Sequence, residues 1–512
     1  MDPTSPPQGA TAPTPGRIEQ VATAALVALA AIGAIISAIN RGPEFDEFWT
    51  MAISDPRVPL DWQFANMWMH DAHPPLFAFG ARLVQTVAGE SYVALRLFNA
   101  VPLVAFLGMF AACWVWAPRA RAFLICFLLL WVSSLFFGYF AVARSYFILH
   151  ASTAASMMGA VVTLAWPPDA DRHRKRVIVL SLIGLLIAAN ANFLAAAISA
   201  PFLALFILLA WIQHRPRLAL AFLAGGAIAY LPLVATTLIQ LGFMLKYAVN
   251  DNWVEPQSIA RALGEFSRLM WRSTGQNVPA ILLALVCGVT AIIAMIRGRS
   301  PKTREETRPI IIGMLADWAA TSILMLAVDQ AKPFIVGAYL LTLATGLSII
   351  IALAIARPIF QRRMIFWFAF VFAAGVTGAG LVQKIIEPNW LGTIRVIQTE
   401  LKACPGAPVW FATWPREKRP ELEQAIFPTA YRYAARVGGF EASLQNAADT
   451  PLPPNALACA YVWIEHMPSN NISDLSAAEL LQAVNLTAPA SAKIDVLDRA
   501  ESGVVLKIAS PV

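Results

Sequence analysis

The chain has 512 residues, of which 58% are hydrophobic and only 13% charged, with a net charge of +7 and a mean hydropathy of +0.61. Soluble domains carry roughly 25% charged residues, so a soluble enzyme, a coiled coil and a disordered protein are excluded and a polytopic membrane protein remains. The cationic surplus reads as orientation charge on membrane loops, with no nucleic-acid partner implied.

Residues 1–20 open with a stretch holding five prolines in sixteen positions, which predicts a disordered cytoplasmic N-terminus. Residues 21–39 are 19 apolar or small residues and read as a retained membrane helix. Further apolar spans are predicted at 97–116, 122–140, 146–166, 177–190, 193–212, 218–240, 279–296, 310–328, 334–356 and 364–383. Eleven spans make an all-α membrane bundle over 21–383.

The loops test this count independently. With residue 17 on the cytoplasmic side, seventeen Lys and Arg fall on inside segments, while the short outside turns carry only Lys332. That bias places the N-terminus inside, and an odd count places residues 384–512 outside. Two outer segments are long, 40–96 and 241–278. Within the second, Ile259, Leu263, Phe266 and Met270 share one helical face, with Arg261, Glu265, Arg268 and Arg272 opposite. Such a helix either lies on the membrane with its arginines toward lipid phosphates or covers the bundle.

Residues 384–512 change character. Strand-like runs at 408–414, 458–466 and 504–509 alternate with polar helical stretches, predicting a small extracytoplasmic α/β domain. Cys404 and Cys459 both lie in it, as a disulfide or as two buried thiols.

The chain has no GxxxxGK[ST], strand-borne GxGxxG, HExxH or GxSxG motif, so familiar nucleotide and hydrolase sites are excluded. Chemistry has three candidate places. Asp46 and Glu47, in PEFDEFWT, follow the first span among aromatic residues; a desolvated carboxylate there is a stronger base, and the alternative is a pair of solvated loop acids. His70, Asp71 and His73, in HDAHPPL, precede two prolines that exclude a helix and fix the loop, either as a phosphate or metal contact or as a plain turn. Arg96 and Arg144 stand at outer span ends, against the positive-inside tendency. They either snorkel to headgroups or converge on an anion.

The order of Asp46-Glu47, then His73-Pro74-Pro75-Leu76, then Ala94-Leu95-Arg96-Leu97, then Ala143-Arg144-Ser145-Tyr146 resembles the C-type fold (GT-C) of lipid-dependent glycosyltransferases. The similarity is greatest to the branch holding protein O-mannosyltransferases and the lipid A aminoarabinose and galacturonic acid transferases. It covers roughly residues 20–383. The resemblance implies a polyprenyl-phosphate-linked sugar donor and an active site on the outer face of the inner membrane. It implies Asp46 and Glu47 as the catalytic pair, and His73, Arg96, Arg144 and Lys332 near the donor phosphate. His70, Asp71, Tyr146, Arg268, Arg272 and Tyr339 are further candidates. A divalent metal, if bound, would fall to Glu47, Asp71 and His73. Relatives often carry Arg-Tyr-Leu late in the bundle, where this chain has Ala338-Tyr339-Leu340, so Lys332 is expected to supply that charge. The expected acceptor is a hydroxyl of a glycolipid, a lipopolysaccharide or a protein. The rival reading is a lipid or sugar transporter, whose signs would be inverted repeats and mid-span charges.

Overall fold

The structure, a computed structural model, describes residues 15–250 except Ala72, 258–273, 303–331, 337–387 except Arg362, 389–412, 421–444, 459–464, and 475–509 except 485, 487, 489, 490 and 501. Helix α1 (Arg17–Asn40) ends where Gly42 and Pro43 interrupt it, and α2 (Phe45–Ile53) starts at once. Its start is a capping box, in which Glu44 and Glu47 each accept the other's backbone N–H. The long segment between the first two spans continues through α3 (Leu60–Asn66), α4 (Leu76–Ala88) and α5 (Tyr92–Leu97).

The bundle then runs through α6 (Ala100–Trp116), α7 (Arg121–Val132), α8 (Tyr146–Ala165), α9 (Asp171–Ala191), α10 (Phe193–Ile212) and α11 (Pro216–Asn250). It continues with α12 (Ile259–Ser273), α13 (Thr303–Ala331), α14 (Leu341–Gln361) and α15 (Arg363–Ile386). Helix α8 is the central post: nearly all of its residues are buried, and it packs on α6, α9, α10 and α14. Its small residues permit this. A Cβ on Gly159 would strike Met109 and Ser181, and one on Gly184 of α9 would strike the α8 backbone.

Among the described residues, seven helices are long and apolar enough to cross a membrane, fewer than the eleven expected. The span expected at 122–140 is two pieces. Helix α7 stops at Val132, Ser133 and Ser134 break it, and a 3-10 segment at Leu135–Ala141 follows. Helix α9 spans the stretch expected at 177–190 but is charged in its first turns, and Leu341–Ala356 is a shorter apolar helix. The span expected at 279–296 lies outside the described residues.

The C-terminal region adds α16 (Leu391–Ala403), β1 (Val409–Ala412), α17 (Glu421–Val437), β2 (Ser443–Leu444), β3 (Cys459–Ile464), α18 (Ala477–Ala483), β4 (Lys493–Ala500) and β5 (Gly503–Ala509). The sheet order is β2-β1-β3-β5-β4, parallel across β2, β1 and β3 and antiparallel from β3 through β5 to β4. Central β3 is buried throughout, as its continuous apolar run requires. Cys404 and Cys459 form a disulfide between the end of α16 and the start of β3, with Cα atoms 6.6 Å apart.

This region shares a core with the α2–α5 segment. Phe48 of α2 meets Trp390 at 5.3 Å between ring centroids, and Trp390 meets Tyr431 at 4.9 Å and Trp463 at 5.4 Å. One apolar cluster therefore runs from α2 through α16 and α17 into the sheet. The helix bearing Asp46 and Glu47 is wedged between bundle and C-terminal domain.

Candidate active site at one end of the bundle

Glu47 is fully buried, and its two carboxylate oxygens accept five bonds. Oε1 accepts from Arg96 Nε at 2.7 Å and from the Ala143 backbone N–H at 2.7 Å. Oε2 accepts from Arg96 Nη2 at 2.5 Å, Arg41 Nη1 at 3.2 Å and the Glu44 backbone N–H at 3.2 Å. Burial alone would raise the Glu47 pKa, but Arg96, Arg41 and the Ala143 N–H hold it below the usual carboxylate range. A carboxylate so saturated ties α1, α2, α5 and the start of α8 together.

Arg96 is equally occupied. Besides Glu47, its guanidinium donates to the carbonyls of Ala38 (3.1 Å), Arg41 (2.6 Å) and Gly42 (2.9 Å). An arginine has five N–H donors, and all five are used here. That leaves no Arg96 N–H open for the expected contact with a donor phosphate, and its side chain is unexposed.

Asp46, one residue earlier on α2, faces the other way. Its side chain is 41% exposed, and Arg144 Nε lies 3.5 Å from its Oδ2. Arg144 is placed from both sides. The Ala143 N–H is held by Glu47, and Asn99 Nδ2 donates to the carbonyls of Phe140 (3.1 Å) and Val142 (3.0 Å). Burial works against the Arg144 charge, but Asp46, Tyr146 and Asp71 more than offset it and raise its pKa.

The HDAHPPL loop closes the cluster. His73 Nδ1 lies 3.0 Å from Asp71 Oδ1, and Trp49 donates its indole N–H to Asp71. Burial would raise the Asp71 pKa, yet His73, Arg144 and Trp49 hold it below the usual range. Pro75 caps α4, which ends the loop as the two prolines predict. Gln240 of α11, fully buried, reaches the loop carbonyls of Trp68 (2.7 Å), His73 (3.4 Å) and Asp71 (3.5 Å).

Tyr146 carries Arg144 over its ring at 5.9 Å, and Tyr339 stands within electrostatic reach of Arg144, Asp46 and Asp71. Tyr139 meets Tyr146 at 5.1 Å, and Lys384, paired with Glu387 at 2.8 Å, lies over Tyr139 at 5.2 Å. The structure thus gathers Asp46, Asp71, His73, Arg144, Tyr146 and Tyr339, and sets Glu47 with Arg96 in the layer beneath.

The remaining expectations divide. Helix α12 forms where predicted, with Ala262, Phe266 and Met270 buried against the bundle while Ile259 and Leu263 stay exposed. Arg268 is exposed and pairs with Glu265. Lys332 and the side chains of His70 and Arg272 lie outside the described residues. Glu47, Asp71 and His73 are not brought together, and among the described residues no three or more His, Cys, Asp or Glu gather as metal ligands. Sequence reasoning passed over Arg41, Asn99, Gln240 and Lys384. Arg41 and Lys384 carry the signal that marked Arg96, a cation at an outer span end. Asn99 and Gln240 carry no such signal.

The fold is shared with ArnT from Cupriavidus metallidurans. Its apo crystal structure matches over 96% of this chain and 98% of that one, with a TM-score of 0.56 and 14% identity. ArnT bound to undecaprenyl phosphate matches over the same shares, with a TM-score of 0.55 and 13% identity. No protein-family model matches the chain, and no curated protein matches it in sequence. The expected architecture is thus borne out as a fold, and the chain is a multi-pass membrane protein.

Proposed function

We propose that this chain is a glycosyltransferase that moves a sugar from a polyprenyl-phosphate carrier to an acceptor hydroxyl. The observation that carries the reading is the half-exposed Asp46 carboxylate held 3.5 Å from Arg144, with Asp71 and His73 alongside. A base for a hydroxyl stands next to a cation for a phosphate. Support also comes from the neighbour of the same fold that binds undecaprenyl phosphate. The motif resemblance to the branch holding lipid A aminoarabinose and galacturonic acid transferases favours an envelope glycolipid among the possible acceptors.

In this reading Arg144 turns from Asp46 onto the donor phosphate, leaving Asp46 free to accept the proton of the acceptor hydroxyl. The hydroxyl oxygen bonds to the anomeric carbon as the carbon–oxygen bond to phosphate breaks. The lipid phosphate leaves with its electron pair and is stabilised by Arg144, with His73 and Tyr339 near it. Phosphate is already a good leaving group, so no strong general acid is needed. Direct displacement inverts the anomeric centre. Lys332 is the further cation this mechanism calls for. Glu47 and Arg96 act one layer back, setting the Ala143-Arg144 backbone.

Residues 21–383 form the catalytic domain in this reading, with the active site and residues 384–512 outside the inner membrane and residues 1–20 in the cytoplasm. The Cys404–Cys459 disulfide suits an oxidising compartment for the C-terminal domain. The decisive experiment assays purified protein with an undecaprenyl-phosphate-linked sugar against glycolipid and peptide acceptors. Asp46→Asn is expected to lower turnover by roughly 10²- to 10⁴-fold at an unchanged thermal midpoint. Turnover within a few-fold of wild type removes Asp46 as base.

A further inference from the structure

The end of the bundle opposite Asp46 carries a second arrangement that the transfer reaction does not use. Helix α8 has 20 residues, or about 30 Å at 1.5 Å per residue. It leads from Tyr146, beside Arg144, to Ala165 at this far end. There the first turns of α9 carry Arg172, Arg174, Lys175 and Arg176, and the turn before α11 adds Arg215.

Most of these cations are exposed and ordinary, and Lys175 pairs with Asp171 at 2.9 Å. Arg174 and Arg215 differ. The Nε of Arg174 is buried without a hydrogen-bond partner, and its Nη2 reaches only the Pro168 carbonyl at 3.5 Å. Arg215 Nη1 donates to the Leu164 carbonyl (3.2 Å) and to Gln213 Oε1 (3.3 Å). Burial, then the like charge of Arg174, disfavours the Arg215 cation. Among the described residues no carboxylate bonds either guanidinium. Two arginines held together with a buried donor unanswered are complementary to an anion.

The surroundings identify what carries that anion. Trp116 stacks on His173 at 4.8 Å, and Arg176 lies over Trp116 at 5.8 Å. Tryptophans collect at the depth of lipid headgroups. Toward the membrane from the arginines, Val179 of α9 and Leu220 and Leu223 of α11 are outward-facing and exposed. These two helices pack side by side. The site thus offers cations at phosphate depth and apolar surface where acyl chains run.

We propose that Arg174 and Arg215 form a specific binding site for the phosphate of an anionic phospholipid in the leaflet opposite the Asp46 cluster. The site is independent of the transferase reading.

The test is native mass spectrometry of the full chain released from micelles containing phosphatidylglycerol, phosphatidylcholine or, without added phospholipid, inorganic phosphate. Wild type is expected to retain one phosphatidylglycerol, and Arg174→Gln/Arg215→Gln to lose at least roughly tenfold of that retention. Arg174→Lys/Arg215→Lys, which keeps the charge and guards against a folding defect, is expected to retain an intermediate amount. The control Lys175→Gln is expected to behave as wild type. Equal retention by wild type and the glutamine variant, or equal retention of phosphatidylcholine, overturns the site. Displacement of the lipid by millimolar inorganic phosphate overturns the lipid assignment in favour of a free phosphate group.

Discussion

Arg96 grips Glu47 through both carboxylate oxygens, and neither side chain is exposed to solvent. A charge pair this enclosed is fragile to removal of one partner, because the other is left buried and under-compensated. Arg96→Ala is expected to cost about 3–5 kcal/mol of stability, read as a fall in thermal midpoint in detergent. Arg96→Lys recovers part of it, since an ammonium offers three donors in place of five. A variant with the wild-type midpoint but no donor binding would return Arg96 to the phosphate site.

Arg144 stands in the opposite situation, next to a half-exposed carboxylate. Arg144→Ala is expected to weaken retention of undecaprenyl phosphate roughly 10- to 100-fold. That corresponds to the loss of about 1.5–3 kcal/mol for a hydrogen bond to a charged group. Titration followed by native mass spectrometry reads it directly. Unchanged affinity, with folded protein, would place the lipid phosphate elsewhere.

Gln240 holds three carbonyls of the loop that carries Asp71 and His73. Freeing those buried acceptors costs about 1–3 kcal/mol, borne locally by the loop. Gln240→Ala is therefore expected to speed amide exchange across residues 67–73 by roughly tenfold and to lower kcat/KM. Exchange unchanged in that segment would show that the prolines alone fix the loop.

Asp55 and Tyr433 link the α2–α5 segment to the C-terminal domain, with the phenol O–H donating to Asp55 Oδ2 at 2.7 Å. Burial would raise the Asp55 pKa, but its bonds from Arg57 and Tyr433 lower it to about 2. The unfolded chain then binds the proton first as pH falls, so this contribution is present above the usual aspartate value and is lost toward about pH 2. Glu44 has the opposite sign. Burial pushes it up to about 6, so its contribution is present below the usual glutamate value and lost as pH rises through about 6. Thermal midpoints followed across pH should lose their acid-side slope in Asp55→Asn and flatten between pH 4.5 and 6 in Glu44→Gln. Unaltered profiles in both variants would assign these slopes to other groups.

Much of the molecule was legible before any coordinates. Composition set the membrane class, because apolar runs long enough for a bilayer have few other uses. Alternation of the spans put Asp46, His73 and Arg144 at one end of the bundle, and the structure gathers them there. Helix α12 and strands β1, β3 and β5 appear where periodicity and β-rich runs predict them.

Tertiary structure alone decided which charges stay open to solvent and which are sealed against each other. Asp46 and Glu47 are adjacent on one short helix, so the turn between them sends one carboxylate to an open site and the other into a sealed network. Arg96 and Arg144 gave the same sequence signal, yet Arg96 meets Glu47 across 49 residues of chain and is spent there. The break at Ser133 and Ser134 and the clamps of Asn99 and Gln240 were likewise hidden, while the sequence left Cys404 and Cys459 open between a disulfide and two thiols and the fold joins them. Local propensity carries the period and length of each element. Hydrogen-bond partners distant in sequence are chosen only when packing removes water and leaves every buried donor to find its acceptor.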